Sequence, residues 1–339
     1  MDNLKSLILF WNHLAEGLEI PSKDRVVFTM RAKSEGLPFL CNELPRLGKA
    51  LDSALITGEQ PDYSVARFKT NKSGLPLFLG SLFAVIHNPN TSVEIAATYI
   101  KRVRQLTMLY YKLEVGYDTH TITKSITDFV SRDSRLIYCR DEYHISNVRR
   151  LVRRVLCNVN PFDIIPRHGS GAVSDKCQNQ DKWHTFDYVP RLDAVFPYTD
   201  HFFYNVNHIS EELEKLTEAS IVEEPTSRLV TVPKDSRGPR IICCEPKELM
   251  YIQQGLMKIL YDHIESFRLT KGYINFNDQT INQRLAKSAS KDAGLATLDL
   301  SEASDRVSWD LIKEVFPSNW VRALSASRTR YIVLPDGNK

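Results

Sequence analysis

The feature that most constrains the fold is a change of hydrophobic period along the chain. The first half carries apolar residues at helical spacing. From Ser227 the pattern becomes that of short strands with turn residues between them. Ser92 to Val115 reads as a helix, and Ile145 to Leu156 more strongly so. Ile145, Val148, Leu151, Val152 and Val155 share one face of the latter, while Arg149, Arg150, Arg153 and Arg154 line the other. That basic face is either a solvated surface or a helix turned towards phosphates. The stretch SRLVTVPKDSRGPRIICCEP predicts a hairpin, with Leu229–Val232 and Arg240–Cys244 as strands and Lys234–Gly238 as the turn. Helices are expected from Lys247 to about Phe267 and from Ile281 to Ser290. A strand is expected over Leu295–Leu300, with a further helix near Ser304.

Such a mixture needs a sizeable core. The 339 residues, 42% hydrophobic and 25% charged, can supply one. The net charge of +3 does not by itself call for a polyanionic partner, so any basic surface must come from distribution. Six cysteines lack C-x-x-C spacing and fit reduced thiols better than a zinc site or a disulfide framework. The apolar run from Leu75 to Ile86, interrupted by Pro76 and Gly80, is too short to span a bilayer. Between Asn158 and Asp200 lies a long irregular stretch rich in Pro, Gly, Asp and aromatics, of the kind that serves a site or packs as a structured excursion. Within it, Arg167-His168-Gly169-Ser170-Gly171 is either a plain turn or a loop whose glycines admit a phosphate.

Two features carry candidate chemistry. Asp299 closes the apolar run LATLDL, at the carboxyl end of the expected strand, where α/β folds place ligands. A carboxylate buried there is costly unless paired, and a divalent cation offsets the cost. The plainer alternative is that Asp299 or Ser301 caps the following helix. Lys234, Arg237 and Arg240 crowd the hairpin turn and its flanks. Arginine binds phosphate in bidentate fashion and lysine acts as a compact charge, so the three suit a polyphosphate. The plainer alternative is a charged edge hairpin.

LATLDLSEASDRVSW resembles motif A of RNA-directed RNA polymerases, in the form used by the replicases of levivirus-type single-stranded RNA bacteriophages. VPKDSRGPRIICCEP is similar to motif F of that family, and INFNDQTINQRLAKSAS resembles the stretch before motif A. PRHGSGAVSDKCQNQDKW and VFPYTDHFFYN are similar to its N-terminal fingers region, and VRQLTMLYYKLEVGYD extends the likeness upstream. The resemblance implies an α+β right-hand polymerase fold with a helix-rich N-terminal half. Its parts are a helix-rich fingers region over 1–157, fingers with the basic hairpin 227–246 over 158–290, and the start of the palm over 291–339. By the same likeness Asp299 is the catalytic metal-binding aspartate, with the backbone carbonyl of Leu300 helping to hold Mg²⁺ or Mn²⁺. Asp305 lies near the ribose 2′-hydroxyl of the incoming nucleotide, and Lys234, Arg237 and Arg240 lie over its triphosphate. Asn277, Asp278 and Gln279 are either part of this site or a structural turn.

The implied activity is template-directed synthesis of viral RNA by two-metal nucleotidyl transfer, with the metals roughly 3.5–4 Å apart. The implied partners are RNA template and product, nucleoside triphosphates and host translation elongation factors, with no membrane, in the cytoplasm of a bacterial host. One departure matters. The chain contains no Gly-Asp-Asp and reaches LPDGNK about where motif B would follow. The expectation is therefore an incomplete palm, no thumb, and a fragment that is inactive alone. The alternative function is a non-catalytic RNA-binding or replicase-assembly protein that retains the fingers.

Overall fold

The computed structural model describes residues 3–58, 62–114, 116–136, 141–183, 186–203, 209–235, 238–292, 294–300 and 302–337. Its elements run in the order α1 (Asn3–Gly17), α2 (Ser22–Glu35), α3 (Leu44–Thr57), α4 (Gly80–Ile86), α5 (Val93–Met108), α6 (Thr119–Ser134) and α7 (Glu142–Leu156). There follow α8 (Pro190–Asp193), α9 (Tyr198–His201), α10 (Ile209–Glu218), β1 (Thr226–Asp235), β2 (Gly238–Cys244), α11 (Lys247–Ser266), α12 (Thr280–Asp292), α13 (Trp309–Val315), α14 (Ser318–Ser327) and β3 (Tyr331–Val333). The fold is helix-rich α+β, with one sheet in the order β2–β1–β3. The chain divides into two compact units, Met1–Ser125 with Thr231–Arg240, and Ile126–Val230 with Ile241–Lys339.

The first unit packs α1 to α5 around an aromatic core. Trp11 is fully buried and stacks on Phe28 with ring centroids 3.7 Å apart. Its indole nitrogen donates to the Leu106 carbonyl at 2.8 Å, which satisfies the one polar atom that burial would strand. Each helix end has a local cause. Pro45 sits in the first turn of α3, where its missing N–H costs nothing, and Gly58 ends the helix in the left-handed region at φ 69°. Ser92 caps α5 by accepting the Ile95 N–H. The helix expected over Ser92–Val115 stops at Met108, and Leu109–Lys112 continue as turns.

In the second unit, α7 matches the helix predicted by periodicity. Asp141 caps it by accepting from the Tyr143 and His144 N–H groups. Ile145, Val155 and Leu156 are buried, and α13 packs against the helix. The irregular stretch after Asn158 is a packed excursion. Val159, Ile164, Val189, Leu192, Phe196, Tyr198 and Phe202 join α11 and α14 in one core. A Cβ at Gly255 of α11 would lie 3.2 Å from the Ile164 Cβ and the Ile165 carbonyl oxygen, so glycine there is what permits the close approach of loop and helix. The expected hairpin is present as β1 and β2. Its turn residues Ser236 and Arg237 lie outside the described residues. β3 runs parallel to the start of β1, with Thr226 opposite Tyr331 and Arg228 opposite Val333.

A half-buried cation, Arg191, ties parts of this unit together. The Arg191 guanidinium donates to the carbonyls of Ser325 (2.9 Å), Ala326 (2.8 Å) and Arg328 (2.6 Å), capping the C-terminus of α14. We expect Arg191→Ala to cost about 2–4 kcal/mol of stability, because it strands buried carbonyls. Arg191→Lys should recover only part, since an ammonium lacks the planar fork. Urea unfolding of the three chains measures both.

Candidate nucleotide-binding site

The residues around Asp299 do not form the expected strand. Leu295–Leu300 lies in no strand of the described residues, and Leu295, Leu298 and Leu300 are 59%, 86% and 74% exposed. The run is apolar enough for a buried strand, but a strand forms only beside a hydrogen-bonding neighbour. Asp299 is exposed, and it does not cap the next helix. Ser308 caps α13 by accepting the Leu311 N–H at 3.1 Å. The helix expected near Ser304 is a short 3₁₀ turn, Ser304–Arg306, before α13 begins at Trp309.

Past Asp299 the chain is held firmly. Glu302 adopts a left-handed conformation, φ 54°, unusual for a residue with a Cβ. Its carboxylate bridges Arg132 of α6 at 2.9 Å and Arg306 at 3.8 Å. The following Asp305 sits in the electrostatic neighbourhood of Cys243 on β2. Desolvation pushes the Cys243 thiol up to about 11, and the carboxylates of Glu245, Asp305 and Asp133 add to the shift. Within the second unit Asp305 is thus close enough to Cys243 to bear on its thiol. Glu245, at the end of β2, accepts from the Thr329 hydroxyl at 3.0 Å, and burial raises its carboxyl above the usual range.

Of the basic residues, Lys234 and Arg240 have exposed side chains, and Arg237 lies outside the described residues. The Lys234 backbone N–H donates to the Tyr117 hydroxyl at 3.0 Å, which fixes this end of β1. Lys234 and Arg240 belong to the first unit, whereas Asp299, Leu300 and Asp305 belong to the second. Asn277 and Asp278 have structural work. The amide and N–H of Asn277 bind Glu265, and Asp278 accepts from the N–H and hydroxyl of Thr280 at the start of α12.

A divalent ion needs several oxygen donors. Asp299 supplies one hard carboxylate, and no group of three or more potential ligands occurs among the described residues. A carboxylate is the donor type that suits Mg²⁺ or Mn²⁺.

The glycine loop at 167–171 is occupied from within. The Lys182 ammonium donates to the Gly169 and Gly171 carbonyls at 2.9 and 2.6 Å. Beside it, His168, Trp183, Phe186, Phe202, Lys247, Glu248 and Tyr251 line a small cavity of about 20 Å³, room for a single water. Burial disfavours the Lys247 ammonium, but Asp175 at 2.9 Å and Glu248 at 3.0 Å outweigh it and hold the pKa above the usual value. Sequence reasoning missed this cluster. Its signal was Lys247-Glu248 opening an apolar helix, a place where a charged pair must be buried together.

A scan against family models matches residues 118–339 to RNA replicase, beta-chain. The match covers well over half of the chain, which therefore belongs to that family. Among curated relatives, the RNA-directed RNA polymerase subunit beta of Enterobacteria phage SP is 42% identical over 112 residues, 33% of this chain and 19% of that protein. The corresponding subunit of Escherichia virus Qbeta is 41% identical over 114 residues, 34% of this chain and 18% of the relative. The beta chain of Escherichia phage MS2 is 40% identical over 101 residues, 30% and 18% respectively. The aligned part is less than a fifth of each relative's length. No helix among the described residues is long and apolar enough to cross a membrane.

Two measurements probe this geometry. Cys243 should alkylate slowly at pH 8, and Asp305→Asn should speed the reaction, because removing a negative neighbour lowers the thiol pKa and enlarges the thiolate fraction. Peptide mapping after iodoacetamide reads the rate at that residue. Burial, helped by Lys182 and Lys247, pushes His168 down to about 4. Between that value and the unfolded value near 6.5 the unfolded chain binds the extra proton, so stability falls as pH falls through this window. The urea midpoint should drop between pH 7 and pH 5, and His168→Gln should flatten that dependence.

Proposed function

We propose that this chain is the fingers and the start of the palm of an RNA-directed RNA polymerase that copies a phage RNA genome. The observation that carries the reading is the replicase beta-chain match over residues 118–339, which contains both the basic hairpin and the Asp299–Asp305 stretch. The relatives' printed names supply the activity. In this reading residues 1–157 and 158–290 build the fingers and 291–339 open the palm of a right-hand fold.

Lys234, Arg237 and Arg240 grip the triphosphate of the incoming nucleotide. Three cations on a two-stranded scaffold neutralise most of its charge and withdraw electrons from the departing pyrophosphate. Asp305 accepts a hydrogen bond from the ribose 2′-hydroxyl and so favours ribonucleotides. Its neighbours support such a task. Glu302 pairs with Arg132 and Arg306, which restrains the loop that carries Asp305. Asp299, with the Leu300 carbonyl, is assigned as part of the ligand set for Mg²⁺ or Mn²⁺. When bound, such ions activate the attacking 3′-hydroxyl and stabilise the charge on the leaving group. The chain contains no Gly-Asp-Asp, so on this reading the 339 residues alone do not add nucleotides. RNA template and product and nucleoside triphosphates are the partners. Host translation elongation factors, and the cytoplasm of a bacterial host as the place of action, follow from kinship with phage replicases.

The test uses a full-length replicase that carries this sequence. Asp299→Asn should reduce nucleotide addition by at least about a thousandfold while template binding stays within about threefold, because a lost ligand removes transition-state stabilisation and leaves phosphate contacts intact. Asp305→Ala should instead narrow the preference for ribonucleotides over deoxyribonucleotides. Undiminished synthesis by the Asp299→Asn enzyme refutes the assignment.

A further inference from the structure

The arginines of α7 do two different jobs. Arg149 is structural. Its guanidinium donates to the Glu314 carbonyl at 2.8 Å and carboxylate at 2.7 Å, joining α7 to α13. Arg150, Arg153 and Arg154 are exposed. Spaced i, i+3 and i+4, they form a single ridge whose neighbours lie about 5–6 Å apart. Among the described residues, Arg150 donates to the neutral Asn147 amide oxygen at 2.8 Å and pairs with no carboxylate. Among the described residues, neither Arg153 nor Arg154 forms an ion pair with a carboxylate. The helix dipole favours cations in the last turn by a few tenths of a kcal/mol, but like charges at i and i+4 cost a similar amount. A helix selected for stability alone would interleave acids here. Between the arginines, Leu151 is 52% exposed and offers an apolar surface within the ridge.

The ridge leads into a cleft. One turn beyond Arg154, Asn158 begins the lining of an open groove of about 370 Å³, whose other walls are Val159, Asn160, Asp163, Ile259, Asp262, His263 and Ser266. The two acids are engaged. Asp163 accepts from the Asn160 amide at 2.8 Å, and Asp262 pairs with Lys258. His263 Nε2 donates to the Val155 carbonyl at 2.6 Å, which ties the groove to the end of α7. The Ser266 hydroxyl, the Asn160 amide and His263 Nε2 bond within the chain, so the group the groove presents at the end of the cationic ridge is the exposed Asn158 amide.

We infer that the ridge of Arg150, Arg153 and Arg154, together with the groove at Asn158, is a track for single-stranded RNA. This rests on the polymerase reading for the presence of RNA. Guanidinium groups match phosphodiester oxygens in bidentate fashion, and neutral hydrogen-bonding groups suit 2′-hydroxyls and unpaired base edges. An unpaired nucleotide can enter a groove of this kind, while a duplex keeps its bases in the stack. An acidic protein would match the ridge but would leave the polar groove unused.

Fluorescence anisotropy of the 339-residue chain with a labelled oligouridylate of about 20 nucleotides, across roughly 50–200 mM salt, tests this. The log–log salt slope should fall by about 2 in the Arg150→Ala/Arg153→Ala/Arg154→Ala chain, since single strands lose about 0.7 per phosphate contact. The triple Lys chain should restore the slope, and Asn158→Ala should weaken binding with the slope unchanged. All three positions are exposed on a helix, and circular dichroism checks that the fold is kept. An unchanged slope in the triple Ala chain overturns the track and leaves the ridge to an acidic protein or to solvent. Failure of the unaltered chain to bind RNA overturns it too. Neither result decides the polymerase reading, which is judged separately by nucleotide addition in the Asp299→Asn enzyme.

Discussion

One half-buried guanidinium holds together distant parts of the second unit. Arg191 reaches out of the irregular excursion and takes up the carbonyl oxygens that end α14. Helix termini carry unsatisfied acceptors, and burying them without donors is costly. By capping this one, Arg191 fixes the segment that runs through Thr329 into β3. β3 pairs with the start of β1, and β1 lies beside β2.

The same logic separates charges with structural work from charges with none. Lys182 is spent on the Gly169 and Gly171 carbonyls, Lys247 on Asp175 and Glu248, and Arg149 on Glu314. Each of these lies near a core that would otherwise hold an unpaired polar atom. Lys234, Arg240, Arg150, Arg153 and Arg154 are exposed instead. In a protein of small net charge, cations that the fold does not need are where a polyanion would bind. The basic hairpin and the α7 ridge each carry exposed cations of this kind.

Much of this was legible in the linear pattern. The helices at α7, α11 and α12 and the hairpin followed from period and turn chemistry, and Asp278 proved to be the turn residue that one of two readings allowed. The strand at Leu295–Leu300 was the clearest failure. Its composition is that of a buried strand, but composition cannot supply the neighbour a strand requires, and the segment is exposed. The loop at 167–171 was read as open to a phosphate or as a plain turn. The structure fills it with Lys182, whose approach from across the loop leaves no local trace in the sequence.

What the sequence determined by itself is therefore local and chemical: where the period is helical, where the chain turns, and which motifs place carboxylates and cations in the order shared with phage replicases. Those properties depend on neighbouring residues and on side-chain type, and both are written in the linear order. The tertiary structure decided which charges are consumed. Arg149 and Arg150 are adjacent and chemically identical, yet one is locked to Glu314 and the other is exposed, because a helix turns about 100° per residue and only one of its faces meets α13. The partner that distinguishes them lies 165 residues away, a distance that only folding can close.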